Sequence, residues 1–156
     1  MKVPRIPAVM LTMMGLFQAV AALGTLVPSF IDDRVRQQFI PVWKFLVRPI
    51  YGDVPNESVV RALAYLSQVV IGASEVVITI ALLGAAFLPH RRQPWANFGL
   101  GFSAVLFGAF MTTMFAVDDP NLPRWTMYLA VLTWIGVTWL VVALTDRRPD
   151  ARSDGL

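Results

Sequence analysis

Glu75 is the ionisable residue best placed for chemistry, because it lies deep within the long apolar run from Val59 to Leu88. A carboxyl in that setting can exchange a proton or hydrogen-bond a donor. Holding a charge at mid-membrane depth costs about 2.5–3.5 kcal/mol on insertion scales, so such a side chain faces a bundle interior or a water-filled cavity. Its neighbours agree. Arg61, Tyr65, Gln68, Gly72, Glu75 and Thr79 recur at steps of three and four, a polar and small stripe on one helical face. The preceding apolar run carries a matching stripe of Thr12, Gly15, Gln18, Ala22 and Thr25. Gln18 is placed to donate to the Glu75 carboxyl, with Thr112 and Thr113 as further donors. Two readings follow: a protonatable site built from Glu75, Gln18, Gln68 and Thr79, or a carboxyl that fixes helix pairing through Gln18 or a backbone carbonyl.

Little else in the chain does chemistry. There is no cysteine, which excludes disulfides, thiol catalysis and iron–sulfur clusters, and a single histidine, His90, excludes a bis-histidine haem. His90 sits between Pro89 and Arg91-Arg92 with no companion ligand, so no metal site is expected. Asp118 and Asp119 adjoin Pro120 and Asn121, and read as a turn and helix start. The net charge of +3 comes from 13 basic residues spread along the chain without an aromatic-interleaved module, which argues against nucleic acid.

The elements that position Glu75 follow from composition. Of 156 residues, 56% are hydrophobic and 15% charged, against roughly 25% charged in soluble domains. Four stretches, about 6–27, 59–88, 95–117 and 122–144, reach the roughly 20 residues that a helix needs to span the hydrocarbon core. In lipid the backbone must satisfy itself, so each is a helix. The expected fold is an all-α integral membrane bundle of four transmembrane helices, one domain over 1–145, with a polar tail at 146–156. The Pro55-Asn56-Glu57-Ser58 run caps the second span, and Asn121 with Pro123 opens the fourth. Short later loops make neighbours antiparallel, and no internal repeat supports an inverted-repeat transporter.

Lys2 and Arg5 ahead of an apolar run holding Ala19-Val20-Ala21 read as a retained signal anchor. With both termini cytoplasmic, seven basic residues (Lys2, Arg5, Arg91, Arg92, Arg147, Arg148, Arg152) lie inside. Six (Arg34, Arg36, Lys44, Arg48, Arg61, Arg124) lie outside. The expected location is a bacterial cytoplasmic membrane in that orientation.

The first loop is long enough to hold structure of its own. Over 33–48, Val35, Phe39, Val42, Trp43 and Leu46 share one helical face, and Arg34, Gln37, Gln38, Pro41, Lys44 and Arg48 the other. This is an amphipathic interfacial helix, capped by Asp32 or Asp33, kinked or split by Pro41 and stopped by Pro49. It either seals the mouth of the bundle or serves as a lid over a lipid or quinone entrance. In the third span, Gly101, Ala104, Gly108 and Thr112 form a small-residue face for close packing. Trp43, Trp95, Trp125 and Tyr51 form an interfacial belt, and Trp134 and Trp139 are read as facing lipid or another subunit.

The four-span plan, the long first loop and the run Gly72-Ala73-Ser74-Glu75-Val76-Val77-Ile78-Thr79-Ile80-Ala81-Leu82-Leu83-Gly84 resemble DoxX-like membrane proteins over about residues 10–144. The resemblance implies a small four-helix bundle linked in some members to quinone-reducing oxidation of sulfur compounds or to oxidative-stress complexes. The residues supply no redox centre or catalytic motif, so electron chemistry would belong to a bound quinone or a partner subunit. The expectation is a non-catalytic membrane subunit that binds lipid or quinone, has no intrinsic cofactor and supports a redox complex with other membrane subunits. The alternatives are a purely structural accessory subunit of a respiratory or photosynthetic assembly, and a small proton-coupled transporter using Glu75.

Overall fold

The computed structural model describes residues 6–31, 34–52, 56–117 and 123–146. Its elements are α1 (Ile6–Ile31), α2 (Arg34–Tyr51), α3 (Glu57–Phe87), a 3-10 turn (Pro89–Arg91), α4 (Arg92–Val117) and α5 (Trp125–Asp146). Strands are absent among the described residues. Four segments, Ile6–Val27, Glu57–Phe87, Pro89–Val117 and Trp125–Thr145, are long and apolar enough to cross a membrane. The chain is an integral membrane helical bundle. The proposed caps at Asp32, Asp33 and Asn121, the Asp118-Asp119 turn, the N-terminal Lys2 and Arg5, and residues 147–156 of the tail lie outside the described residues.

Local chemistry explains most element ends. The Asn56 side chain accepts from the Ser58 amide at 2.9 Å, which caps α3 as its sequence implied. Gly52 ends α2 at φ 73°, a left-handed turn that suits glycine, with its amide on the Arg48 carbonyl. The expectation that Pro41 splits α2 and Pro49 stops it is corrected: one helix runs through both to Tyr51. Each proline deletes a single ladder bond, and tertiary contacts hold the helix on either side. Likewise α1 continues past Pro28 to Ile31.

α1, α3, α4 and α5 form the bundle, with the most extensive packing between α1 and α3, followed by α3 with α4 and α4 with α5. Gly15 lies against Leu83 and Gly72 against Leu26, so α1 and α3 are antiparallel. The main core joins Leu11, Met14, Ile78, Leu82, Leu100, Phe107, Ile135 and Val142. α2 lies at the end where α1 finishes and α3 begins. Val42 and Met114 of α4 form a small cluster there, with Val117 and Tyr128 packed against it, and the Trp43 indole donates to the Ser67 hydroxyl at 2.8 Å. α2 therefore reaches α1 and α4 as well as α3 and covers that mouth of the bundle.

Candidate functional site

The polar stripe on α3 turns inward along its length. Arg61 and Tyr65 near the start are exposed, whereas Gln68 (0% exposed), Gly72 and Glu75 (4%) are buried and Thr79 is half-buried. The matching stripe on α1 buries Gly15, Gln18 and Ala22. Both stripes meet at the α1/α3 seam.

Thr25 on α1 joins the two buried polar residues of α3. Its carbonyl accepts from the Gln68 side-chain amide at 2.9 Å, and its hydroxyl lies close to the Glu75 carboxyl. That hydroxyl donates to the Ala21 carbonyl at 3.0 Å, so its single proton is engaged within α1. The site thus draws on α1 and α3.

Gln18 does not meet Glu75, contrary to the sequence expectation. Its amide nitrogen donates to the Ser103 hydroxyl of α4 at 3.2 Å, and Ser103 in turn donates to the Gly99 carbonyl at 2.8 Å. Thr112 and Thr113 are not donors to Glu75 either, since each bonds the carbonyl four residues back on its own helix. Thr79 bonds the Glu75 carbonyl, not its carboxyl. Gln18 Oε1, Gln68 Oε1 and Glu75 Oε2 are buried with no hydrogen-bond partner among the described residues. Buried acceptors in that state cost about 1–3 kcal/mol each, and they are the atoms that a water or a donor-bearing ligand would meet.

Beside this polar seam runs an apolar groove of about 300 Å³, lined by Ala19, Ala22, Leu23 and Leu26 of α1 and Val76, Thr79 and Ile80 of α3. It opens on the outside of the bundle. Two of its lining residues, Val76 and Thr79, are one and four positions from the buried Glu75 on α3.

No known protein family, curated protein or solved structure matches the chain. The functional reading therefore rests on this geometry.

On α2, Lys44 and Leu46 are exposed, Arg48 is exposed and engaged in an interaction, and Phe39 and Trp43 are half-buried. Among its described side chains, α2 buries Val42 and Val47, with Phe45 left outward beside Leu46. The stripe of Gly101, Ala104, Gly108 and Thr112 is not where helices approach most closely. A Cβ on Gly108 would meet nothing within 4 Å, and one on Gly101 only Trp139 at an ordinary 3.6 Å. The close α3/α4 contact falls at Gly99, where a Cβ would lie 2.8 Å from Leu82 and 3.2 Å from the Ala81 Cβ. Trp134 also turns inward, packing edge-on against Phe17 with ring centroids 5.6 Å apart.

Three buried polar residues, Ser103, Arg92 and Thr138, had no role in the sequence expectation. Ser103 sits one turn beyond Gly99 on the same face, a spacing that could have signalled it. Arg92, expected only as a loop charge, is buried, and its Nε donates to the Ala85 carbonyl at 3.3 Å. A cation beside the last turn of α3 complements the partial negative charge there. Among the described residues there is no group of three or more His, Asp or Glu able to hold a metal.

Proposed function

We propose that this protein is a non-catalytic, DoxX-like subunit that binds a quinone or lipid along the α1/α3 groove and supports a membrane redox complex with other subunits. We place it in a bacterial cytoplasmic membrane with both termini inside. The observation that carries the reading is the groove itself: an apolar channel open on the outside of the bundle, lined on α3 by close sequence neighbours of a buried carboxyl. An isoprenoid or acyl chain fits its Ala, Leu, Val and Ile lining, and a carbonyl or hydroxyl head could hydrogen-bond the Glu75–Thr25 pair. In this reading Glu75 is a hydrogen-bonding or proton-exchanging group for the bound molecule, which itself supplies any electron chemistry.

Native mass spectrometry after gentle extraction tests this. The expected result is a retained quinone or lipid that is lost when the groove is filled by Leu23→Trp or Val76→Trp, both at exposed positions. Glu75→Gln should keep the bundle folded while weakening retention. A bare protein, or retention indifferent to the groove-filling variants, overturns the reading. Flux of protons in liposomes that vanishes in Glu75→Gln would instead favour a small transporter, the second function that a buried carboxyl with an unpartnered oxygen supports.

A further inference from the structure

A second cavity lies apart from that groove, at the α2-covered end, and its chemistry is different. About 210 Å³ in volume, it is lined by Ile40 and Lys44 of α2 and by Glu57, Val60 and Arg61 of α3. We infer that it binds the phosphodiester headgroup of an anionic phospholipid, gripped between Lys44 and Arg61.

Four features support the assignment. The cavity is at the membrane boundary, because the second span begins at Glu57. Its floor is apolar, with Val60 buried and Ile40 half-buried, while both cations stand at the rim and are exposed. α2 carries Phe45, Leu46, Ile50 and Tyr51 outward next to Lys44, the arrangement of a helix lying at headgroup depth with its cations snorkelling to phosphate. Finally, α2 is docked on α3 by the Trp43–Ser67 hydrogen bond, so Lys44 is held facing Arg61 across the cleft instead of swinging on a free loop.

Among the described residues lining the cavity the anionic group is Glu57, whose Oε2 is 3.6 Å from Arg61 Nη2, with both side chains largely in solvent. So exposed a pair is weak, and it engages only part of a guanidinium that has five N–H donors. A phosphodiester can share Arg61 with Glu57. The α3 amides take little part, since Ser58 is capped by Asn56 and the Val59 and Val60 amides bond the Asn56 carbonyl. Recognition therefore falls on the two side chains, and the field of the α3 N-terminus adds to it. The site does not depend on the groove reading.

The test uses the full chain in nanodiscs of phosphatidylcholine with one quarter phosphatidylglycerol, scored by native mass spectrometry for lipids retained after detergent release. One phosphatidylglycerol per chain is expected to persist, and Lys44→Gln or Arg61→Gln to reduce its retention about fivefold each. Glu57→Gln should strengthen it. Arg91→Gln, an exposed cation in the 3-10 turn at the opposite end, should leave it unchanged. Inorganic phosphate at millimolar concentration should not displace the lipid, because it lacks acyl chains; full displacement by it would assign the site to a free phosphate and overturn the lipid. Equal retention of phosphatidylcholine, or an Arg91→Gln loss as large as that of Lys44→Gln, would reduce the effect to general surface charge and also overturn the assignment.

Discussion

The two long seams of the bundle hold helices together by different means. Where α1 meets α3, the helices touch through missing side chains: Leu83 fits against Gly15 and Leu26 against Gly72, with buried Gln68 and Glu75 between and beyond them. Where α4 meets α5, large rings fill the space. Phe107 contacts Phe110 at 6.0 Å, Tyr128 at 6.3 Å and Phe17 of α1 at 6.2 Å, and Phe110 contacts Tyr128 at 5.6 Å. In lipid there is no hydrophobic drive between helices, so adhesion must come from close packing and polar contacts. The α1/α3 seam gains it by backbone approach, which leaves room for polar groups and a groove. The aromatic seam gains it mainly by bulk.

The largest expected effect breaks the aromatic seam. Phe107→Ala removes the ring shared by α1, α4 and α5 and should cost about 3 kcal/mol, read by SDS titration in mixed micelles. The low end of the range for such truncations applies because a separated helix in the bilayer keeps its side chain in hydrocarbon, so the loss is packing and cavity, not transfer to water. A cost below about 1 kcal/mol would mean that the rings merely occupy the space between helices.

Next comes the small-residue seam. A Cβ on Gly72 would lie 2.5 Å from both Cγ and Cδ2 of Leu26, so Gly72→Ala must push α1 outward or rotate Leu26, at about 1–3 kcal/mol. Gly108→Ala meets nothing within 4 Å and should be neutral or stabilise by up to about 1 kcal/mol through helix propensity. Opposite signs from the same chemical change would confirm that close approach, and not glycine content, defines the seam. Equal effects would sink that claim.

This pair also shows how far the sequence was legible. The four spans were readable because the bilayer permits a hydrophobic segment little choice but helix. The inward faces of α1 and α3 were readable from the spacing of Gly15, Gln18, Gln68, Gly72 and Glu75. The partners of those residues were not. Which α1 residue stands opposite Glu75 depends on the register that Leu26 takes over Gly72, and that lock brings Thr25 to the carboxyl while Gln18 meets Ser103 on α4. Periodicity fixes a face, but it carries no information about sliding along it. The third span shows the same limit: Gly99 and Gly101 each begin a plausible small-residue face, and only the position of Ala81 and Leu82 on α3 selects Gly99. α2 was readable as amphipathic, yet its passage through Pro41 and Pro49 reflects docking on α1, α3 and α4, which no local rule contains.

The smallest effect sharpens the contrast at the rim of the aromatic seam. The Trp139 indole of α5 donates to Asn97 Oδ1 of α4 at 2.9 Å, a polar contact on an otherwise bulk-packed surface. Trp139→Phe keeps an aromatic ring there and removes that donor. Hydrogen bonds between membrane helices average about 0.6 kcal/mol, because separated helices find other partners, and Asn97 is exposed enough to do so. A loss near that size, with no change in retained lipid, is expected. A loss of about 2 kcal/mol or more would show that a single polar contact can hold this seam as firmly as its rings, and the division between the two seams would then fail.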